Sequence, residues 1–264
     1  MKAHLVQLDI QWEDPQTNYA RVRSLLDTIR ISPGDLIALP ELFDAGFSLN
    51  TKTTCDMNNS TLEFLSDLAQ ETGCMIQGSR SIFPAQDSES LALNCATVCA
   101  PGGKNPVCEY HKVHPFSMGS EPKSFQGGNE VVQYDWVAGN ETLKVCPFIC
   151  YDLRFPELFR KGFVDGAEMF VLGANWPNAR QHHWRSLLIA RAIENQAFML
   201  GINRCGDDPY LSYSGGTIAI DPMGTVLGEL GDEEAVLSVE IDPTMLRDWR
   251  SKFRVIDDIK IRSF

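Results

Sequence analysis

The sequence predicts an α/β protein built in four layers, helix, sheet, sheet, helix. Three observations lead there. About ten short apolar runs of strand character recur along the 264 residues, and about five helix-periodic stretches fall between some of them. Runs such as LIALP and MFVLGA are continuously apolar, as strands buried on both faces are. About ten strands also approach the practical limit of one twisted open sheet, which favours two packed sheets.

Taken in order, the strand expectations are 3–10 (AHLVQLDI), 35–41, 74–83, 94–101, 130–137, 143–150, 168–176, 197–204, 215–221 and 235–242. Helices are expected over 17–30, 60–72, 156–165, 182–195 and 243–252. Val22, Leu25, Leu26 and Ile29 form a helical stripe in the first, and Trp184, Leu187, Leu188 and Ala192 recur at i, i+3, i+4 spacing in the fourth. The turns P-G-G-K (101–104) and D-P-M-G (221–224) read as hairpin punctuation. No long Pro/Ser linker, repeat or low-complexity tract interrupts the chain, so residues 1–264 read as a single domain. A chain of that length buries roughly three-quarters of its unfolded surface and needs no staples.

Hydrophobic content of 44% and charged content of 22% exclude disordered, collagen and coiled-coil classes. The formal charge of −12, with no run of Lys or Arg, opposes phosphate backbones and anionic bilayers, so neither nucleic acid nor a membrane is expected as a partner. The N-terminus turns acidic within fourteen residues and lacks the apolar stretch of a signal peptide, and no apolar run approaches the length of a membrane span. The reading is cytoplasmic, with the eight cysteines as reduced thiols. The C-x3-C spacings at 95/99 and 146/150 match neither zinc ribbons nor redox pairs. The H-x-x-H at 111/114 is one residue short of helical ligand spacing and is followed by Pro115, while His182 and His183 read as a helix start. No metal is expected.

Three polar residues end or follow apolar strands: Glu41 after LIALP, Cys150 after VCPFI and Asn175 after MFVLGA. Ligand crevices of open α/β sheets form at such carboxyl ends. Singly, Glu41 reads as a solvated cap, Cys150 as a small buried hydrophobe and Lys112 as a surface lysine. Together the strings LPELFDAGF (39–47), YHKVHPFSMGSEPKSFQGG (110–128), ICYDLRFPELFR (149–160), GANWPNARQHHW (173–184) and ARAIENQAF (190–198) resemble the nitrilase superfamily, the carbon-nitrogen hydrolases, from about residue 3 to about residue 250.

The resemblance implies an αββα sandwich of the nitrilase type, subunits that pair back to back as a homodimer or higher homo-oligomer, and no cofactor. It makes Cys150 the nucleophile, Glu41 the general base and Lys112 the cation beside the reacting carbonyl, with Glu121 a second glutamate that orients substrate or water near the lysine. The backbone N–H of Tyr151 is the expected second oxyanion donor. A thioester divides one high barrier of amide hydrolysis into two lower ones. A neighbouring carboxylate disfavours a thiolate, so activation must come through proton transfer to Glu41. One departure stands out: Pro115 lies between the His and Phe of the K-x-H-x-F string, where the family commonly has an apolar residue such as leucine.

Two other classes compete, a metal-dependent or Cys/His hydrolase and a catalytically silent interaction protein; the intact Glu41, Lys112 and Cys150 argue against the second. Within the superfamily the strings look most like the bacterial ω-amidase branch, which implies a small amide substrate, 2-oxoglutaramate or 2-oxosuccinamate. Relatives acting on deaminated glutathione or N-carbamoyl compounds share the Y-D-L-R-F-P-E string and remain alternatives. The far carboxylate of such a substrate needs a cation, for which Arg180 is the candidate. Trp176 and Phe116 are its expected apolar walls and Asn175 a further contact. Arg154 is the alternative cation, with a competing role in bracing its turn through a carboxylate such as Glu157.

Overall fold

The computed structural model describes residues 1–87 and 89–260; residues 261–264 of the expected domain lie outside it. The strands, in chain order, are β1 (Lys2–Gln7), β2 (Leu36–Ala38), β3 (Met75–Ile82), β4 (Leu93–Cys99), β5 (Cys108–His111), β6 (Tyr134–Ala138), β7 (Glu141–Ile149), β8 (Met169–Ala174), β9 (Phe198–Asn203), β10 (Cys205–Asp207), β11 (Ser212–Ser214), β12 (Ile218–Ile220), β13 (Val226–Glu229) and β14 (Ala235–Glu240). The α-helices are α1 (Pro15–Leu26), α2 (Thr51–Thr54), α3 (Ser60–Thr72), α4 (Pro156–Val164), α5 (Gln181–Asn195), α6 (Pro243–Lys252) and α7 (Val255–Asp258). Every expected strand and helix is present. The strands missed from sequence, β5, β10, β11 and β13, are three or four residues long, too short to show a period of two.

Two six-stranded sheets run in the orders β14-β1-β2-β3-β4-β5 and β13-β12-β9-β8-β7-β6, and β10 and β11 form a separate hairpin. Each large sheet has the same plan. Three parallel strands, β1, β2, β3 in one and β7, β8, β9 in the other, are flanked by antiparallel ones. Alternation along these strands feeds two different cores. In the first sheet Leu5, Leu36 and Ala38 pack against Val145, Met169, Val171 and Leu200 of the second. Their neighbours Val6, Ile37 and Leu39 face Val22, Leu26, Leu65 and Leu68 of α1 and α3. On the far side Phe148, Phe170, Leu172 and Met199 pack under Phe159 and Phe163 of α4 and Trp184 and Leu188 of α5. The layers are therefore helix, sheet, sheet, helix, and LIALP and MFVLGA are apolar throughout because both faces are covered.

Local chemistry sets the helix ends. Asp14 caps α1, accepting from Thr17 N at 3.2 Å and Thr17 Oγ1 at 2.7 Å, and Pro15 opens the helix where no donor is needed. α3 stops at Gly73, whose φ of 69° suits glycine. One polar tie crosses the apolar space between the sheets: Gln77 of β3 donates to the Val171 carbonyl at 3.1 Å and accepts from Tyr134 Oη at 2.9 Å.

Two features bring the carboxyl ends of β2, β5, β7 and β8 together. A Cβ at Gly173 would lie 2.9 Å from the Leu39 carbonyl and 3.0 Å from the Glu41 amide, so glycine lets the end of β8 touch the end of β2. Asp152 is fully buried and ties the segment after β7 to that around β5. Its carboxylate accepts from Ile149 N at 3.2 Å, Tyr110 Oη at 2.8 Å, and both N and Nδ1 of His114 at 3.0 Å.

Gly173→Ala must push backbone rather than a flexible side chain, and we expect a loss of about 1–3 kcal/mol in denaturant unfolding. Wild-type stability would mean that the two strand ends do not meet. Asp152→Ala leaves buried donors without an acceptor and should cost at least about 2 kcal/mol in the same measurement; an unchanged midpoint would refute the tie.

Candidate active site

Glu41 leaves β2 through Leu39 and Pro40, and the chain then turns at Leu42, whose φ is 45°. The Glu41 carboxylate is fully buried. Its Oε1 accepts from Lys112 Nζ at 2.8 Å and from Asn94 Nδ2 at 2.8 Å, and its Oε2 accepts from Asn175 N at 2.9 Å. It is not the solvated cap that a glutamate at a strand end suggests.

Lys112 follows β5, and its ammonium is 1% exposed, so it is no surface lysine either. Nζ donates to Glu41 and to both oxygens of Glu121, at 3.0 and 2.9 Å. The glycines of FQGG are required here, because a Cβ at Gly128 would sit 2.3 Å from the His111 carbonyl. Pro115 does not unseat the loop: the next donor, Phe116 N, is taken by Glu121 Oε2. Glu121, itself fully buried, therefore stands behind Lys112 and holds the Phe116 loop, and it is not among the residues that line the cavity.

Cys150 opens the turn between β7 and α4 with a φ of 43°, a left-handed conformation that non-glycine residues adopt at a cost. Asp152, reaching back to Ile149 N, holds that turn. Cys150 Sγ lies 3.9 Å from the Asn175 carbonyl. Burial and the Glu41 charge push the thiol well above its ordinary range, against the pull of Lys112. Burial opposes the charged form of Lys112, but Glu121 and Glu41 outweigh it and hold the ammonium protonated. Burial also raises Glu121, partly offset by Lys112. The resting pair is thus a thiol beside a lysine that stays charged, which cannot serve as a base.

A cavity of about 670 Å³ opens over these groups. Glu41, Lys112, Cys150, Tyr151, Phe116, Asn175, Trp176 and Arg180, all named from sequence, line it. Asn175 serves Glu41 with its side chain as well as its backbone, Nδ2 donating to the Glu41 carbonyl at 2.6 Å. Trp176 Nε1 donates to the Arg180 carbonyl at 2.8 Å, and Arg180 Cζ lies 5.3 Å from the centre of the Phe116 ring. Arg154 does not pair with Glu157. Its guanidinium donates to His183 Nδ1 at 3.0 Å, stacks 5.1 Å over Trp176 and lines the cavity. Among the described residues neither Arg154 nor Arg180 is paired with a carboxylate, in contrast to Lys112.

Several contributors were not singled out from sequence. Asn94 lies inside an unremarkable strand, and Asn203 at the end of β9 holds the Trp176 segment by accepting from Trp176 N at 2.8 Å. Phe47, Trp12 and Tyr213 add aromatic wall. Phe47 stood within the LPELFDAGF string, the one signal that could have found it. No group of three or more His, Cys, Asp or Glu among the described residues could hold a metal ion, and none of their helices is long and apolar enough to cross a membrane.

The chain is similar to known proteins along nearly its whole length. The sequence profile of the carbon-nitrogen hydrolase family matches residues 2–251. Omega-amidase YafV of Escherichia coli (strain K12) is 32% identical over 260 residues, covering 98% of this chain and 96% of that protein. The 2-oxoglutaramate amidase of Bacillus subtilis (strain 168) is 33% identical over 258 residues, covering 97% and 96%. A crystal structure from Xanthomonas campestris, of a CN-hydrolase superfamily protein with an arsenic adduct in its active site, superposes with a TM-score of 0.90 at 30% identity over 100% of this chain and 98% of that one. With that profile over nearly its whole length, and relatives above 30% identity throughout, the chain belongs to the carbon-nitrogen hydrolase family, the nitrilase superfamily, and is an enzyme that acts on amides.

Proposed function

We propose that the protein is an ω-amidase, hydrolysing 2-oxoglutaramate or 2-oxosuccinamate to the 2-oxo dicarboxylic acid and ammonia through a thioester on Cys150. The observation that carries the substrate class is the division of cations in the cavity. Lys112 is paired with two buried carboxylates, whereas among the described residues the guanidiniums of Arg154 and Arg180 lie on aromatic faces without a carboxylate partner. Such a pocket takes an uncharged amide at one end and an anion at the other. The names of the similar bacterial proteins, omega-amidase and 2-oxoglutaramate amidase, point the same way.

In this reading the Cys150 thiol gives its proton to Glu41 as sulfur attacks the amide carbon. Lys112 Nζ and the Tyr151 N–H hold the negative charge on the tetrahedral oxygen. Glu41 passes the proton to the departing nitrogen, which leaves as ammonia, and the thioester remains. A water then gives a proton to Glu41 and attacks the acyl carbon; the acid departs and sulfur recovers the proton. Glu121 acts through Lys112 and Phe116. Proton transfer contributes about 10²–10⁴-fold, and an oxyanion donor about 10²–10³-fold. The homodimer or higher homo-oligomer implied by the family resemblance, and the cytoplasmic setting read from the N-terminus and the cysteines, belong to the same proposal.

The test is ammonia release across 2-oxoglutaramate, glutamine, deaminated glutathione, a nitrile and an N-carbamoyl amino acid, with 2-oxoglutaramate expected to be preferred. No release from it would overturn the substrate assignment. Arg180→Ala should lower kcat/KM for 2-oxoglutaramate by about 2–3 kcal/mol, the worth of a charged hydrogen bond, and should lower that for a neutral amide of similar length much less. Equal losses on the two substrates would show that Arg180 only supports its loop.

A further inference from the structure

The two oxygens of Glu41 are not equivalent. A carboxylate oxygen offers two lone-pair sites. Those of Oε1 are filled, by Lys112 Nζ at 2.8 Å and Asn94 Nδ2 at 2.8 Å. Oε2 has one short donor, Asn175 N at 2.9 Å, and only a long contact of 3.4 Å from Asn175 Nδ2. Asn94 is 1% exposed, and its orientation follows from its neighbours. Leu42 N donates to Ser79 Oγ at 2.6 Å, which leaves the hydroxyl proton of Ser79 to reach Asn94 Oδ1 at 3.4 Å. With its oxygen turned to Ser79, the amide presents its N–H to Glu41. The Asn94 carbonyl also accepts from Lys112 N at 2.9 Å, so one residue of β4 grips both the acid and the lysine.

We propose that Asn94 is a positioning residue that selects the proton-transfer oxygen of Glu41: with Lys112 it saturates Oε1, so that Oε2 takes the Cys150 proton. The proposal rests on the reading of Glu41 as the base for Cys150. In the step concerned the S–H bond breaks, its electron pair stays on sulfur, and the proton passes to Oε2. An N–H donor favours the ionised form of the carboxylate it binds, so removing that donor is the perturbation to test. The charged or titratable groups facing Glu41 are Lys112 beyond β5, Glu121 on the turn at 121–123 and Cys150 beyond β7; Asn94 and Asn175 are the neutral donors.

The experiment is the pH dependence of iodoacetamide alkylation at Cys150, followed on the peptide that carries it, which needs no knowledge of the substrate. Wild type should show an acid limb that Glu41→Gln abolishes. Asn94→Leu removes the donor and should move that limb up by about one pH unit. Asn94→Asp, of the same shape but negatively charged, should move it further. Ser79→Ala keeps Asn94 but frees its amide to turn, and should give a smaller shift in the same direction; it carries the test if the Asn94 variants do not fold. Profiles of Asn94→Leu and Ser79→Ala that superpose on wild type, with the limb still lost in Glu41→Gln, would overturn the role of Asn94 alone. A limb that survives Glu41→Gln would overturn the base assignment and the proposal with it.

Discussion

One buried ammonium between two buried carboxylates organises this molecule. Lys112, Glu41 and Glu121 come from the end of β5, the end of β2 and the turn at 121–123, and all three are 1% exposed or less. Removing any one of these charges from water is costly, and the cost is offset only when partners sit at hydrogen-bond distance with the remaining lone pairs satisfied. Oε1 of Glu41 meets that requirement through Asn94 and Glu121 through Phe116 N, and Oε2 meets it in part through Asn175 N. Burial first, and then the Glu41 charge, keep the adjacent Cys150 a thiol, so in the proposed mechanism a proton acceptor rather than a preformed thiolate governs its reactivity.

The same arrangement divides the cavity. Because Lys112 is paired with carboxylates and, in the proposed mechanism, serves the reacting oxygen, the far carboxylate of the proposed substrate needs another cation. In the proposed reading the guanidiniums of Arg154 and Arg180 supply it, lying over Trp176 and Phe116. The whole-chain charge of −12 is largely screened beyond about 8 Å at physiological salt, so in the proposed reading selectivity falls to these local cations. Trp176 links the two regions, its backbone N donating to Asn203 Oδ1 and its Nε1 to the Arg180 carbonyl.

Much of this was legible in the order of residues. The strand ends at Glu41, Cys150 and Asn175 were visible because apolar runs stop at them, and the four layers followed from strands that are apolar on both faces. What was not legible depends on contacts distant in sequence. Asn94 lies 53 residues from its partner Glu41, inside a strand whose pattern marks nothing unusual. Arg154 was expected to find an acid nearby in sequence, and instead reaches His183, 29 residues on, because the turn at Cys150 faces the start of α5. Glu121 was expected to orient substrate or water near the lysine; it does lie on the lysine, and what the sequence did not show is that the loop after Pro115 folds the Phe116 amide onto the same carboxylate.

The central claim is that Cys150, activated through Glu41, carries the acyl group. Mass spectrometry of enzyme quenched during turnover of 2-oxoglutaramate tests it most directly. The account predicts an acyl adduct on the peptide containing Cys150, lost on hydroxylamine treatment as a thioester is, and absent in Cys150→Ala. Turnover by Cys150→Ala, or an adduct mapped to one of the other cysteines, would contradict it.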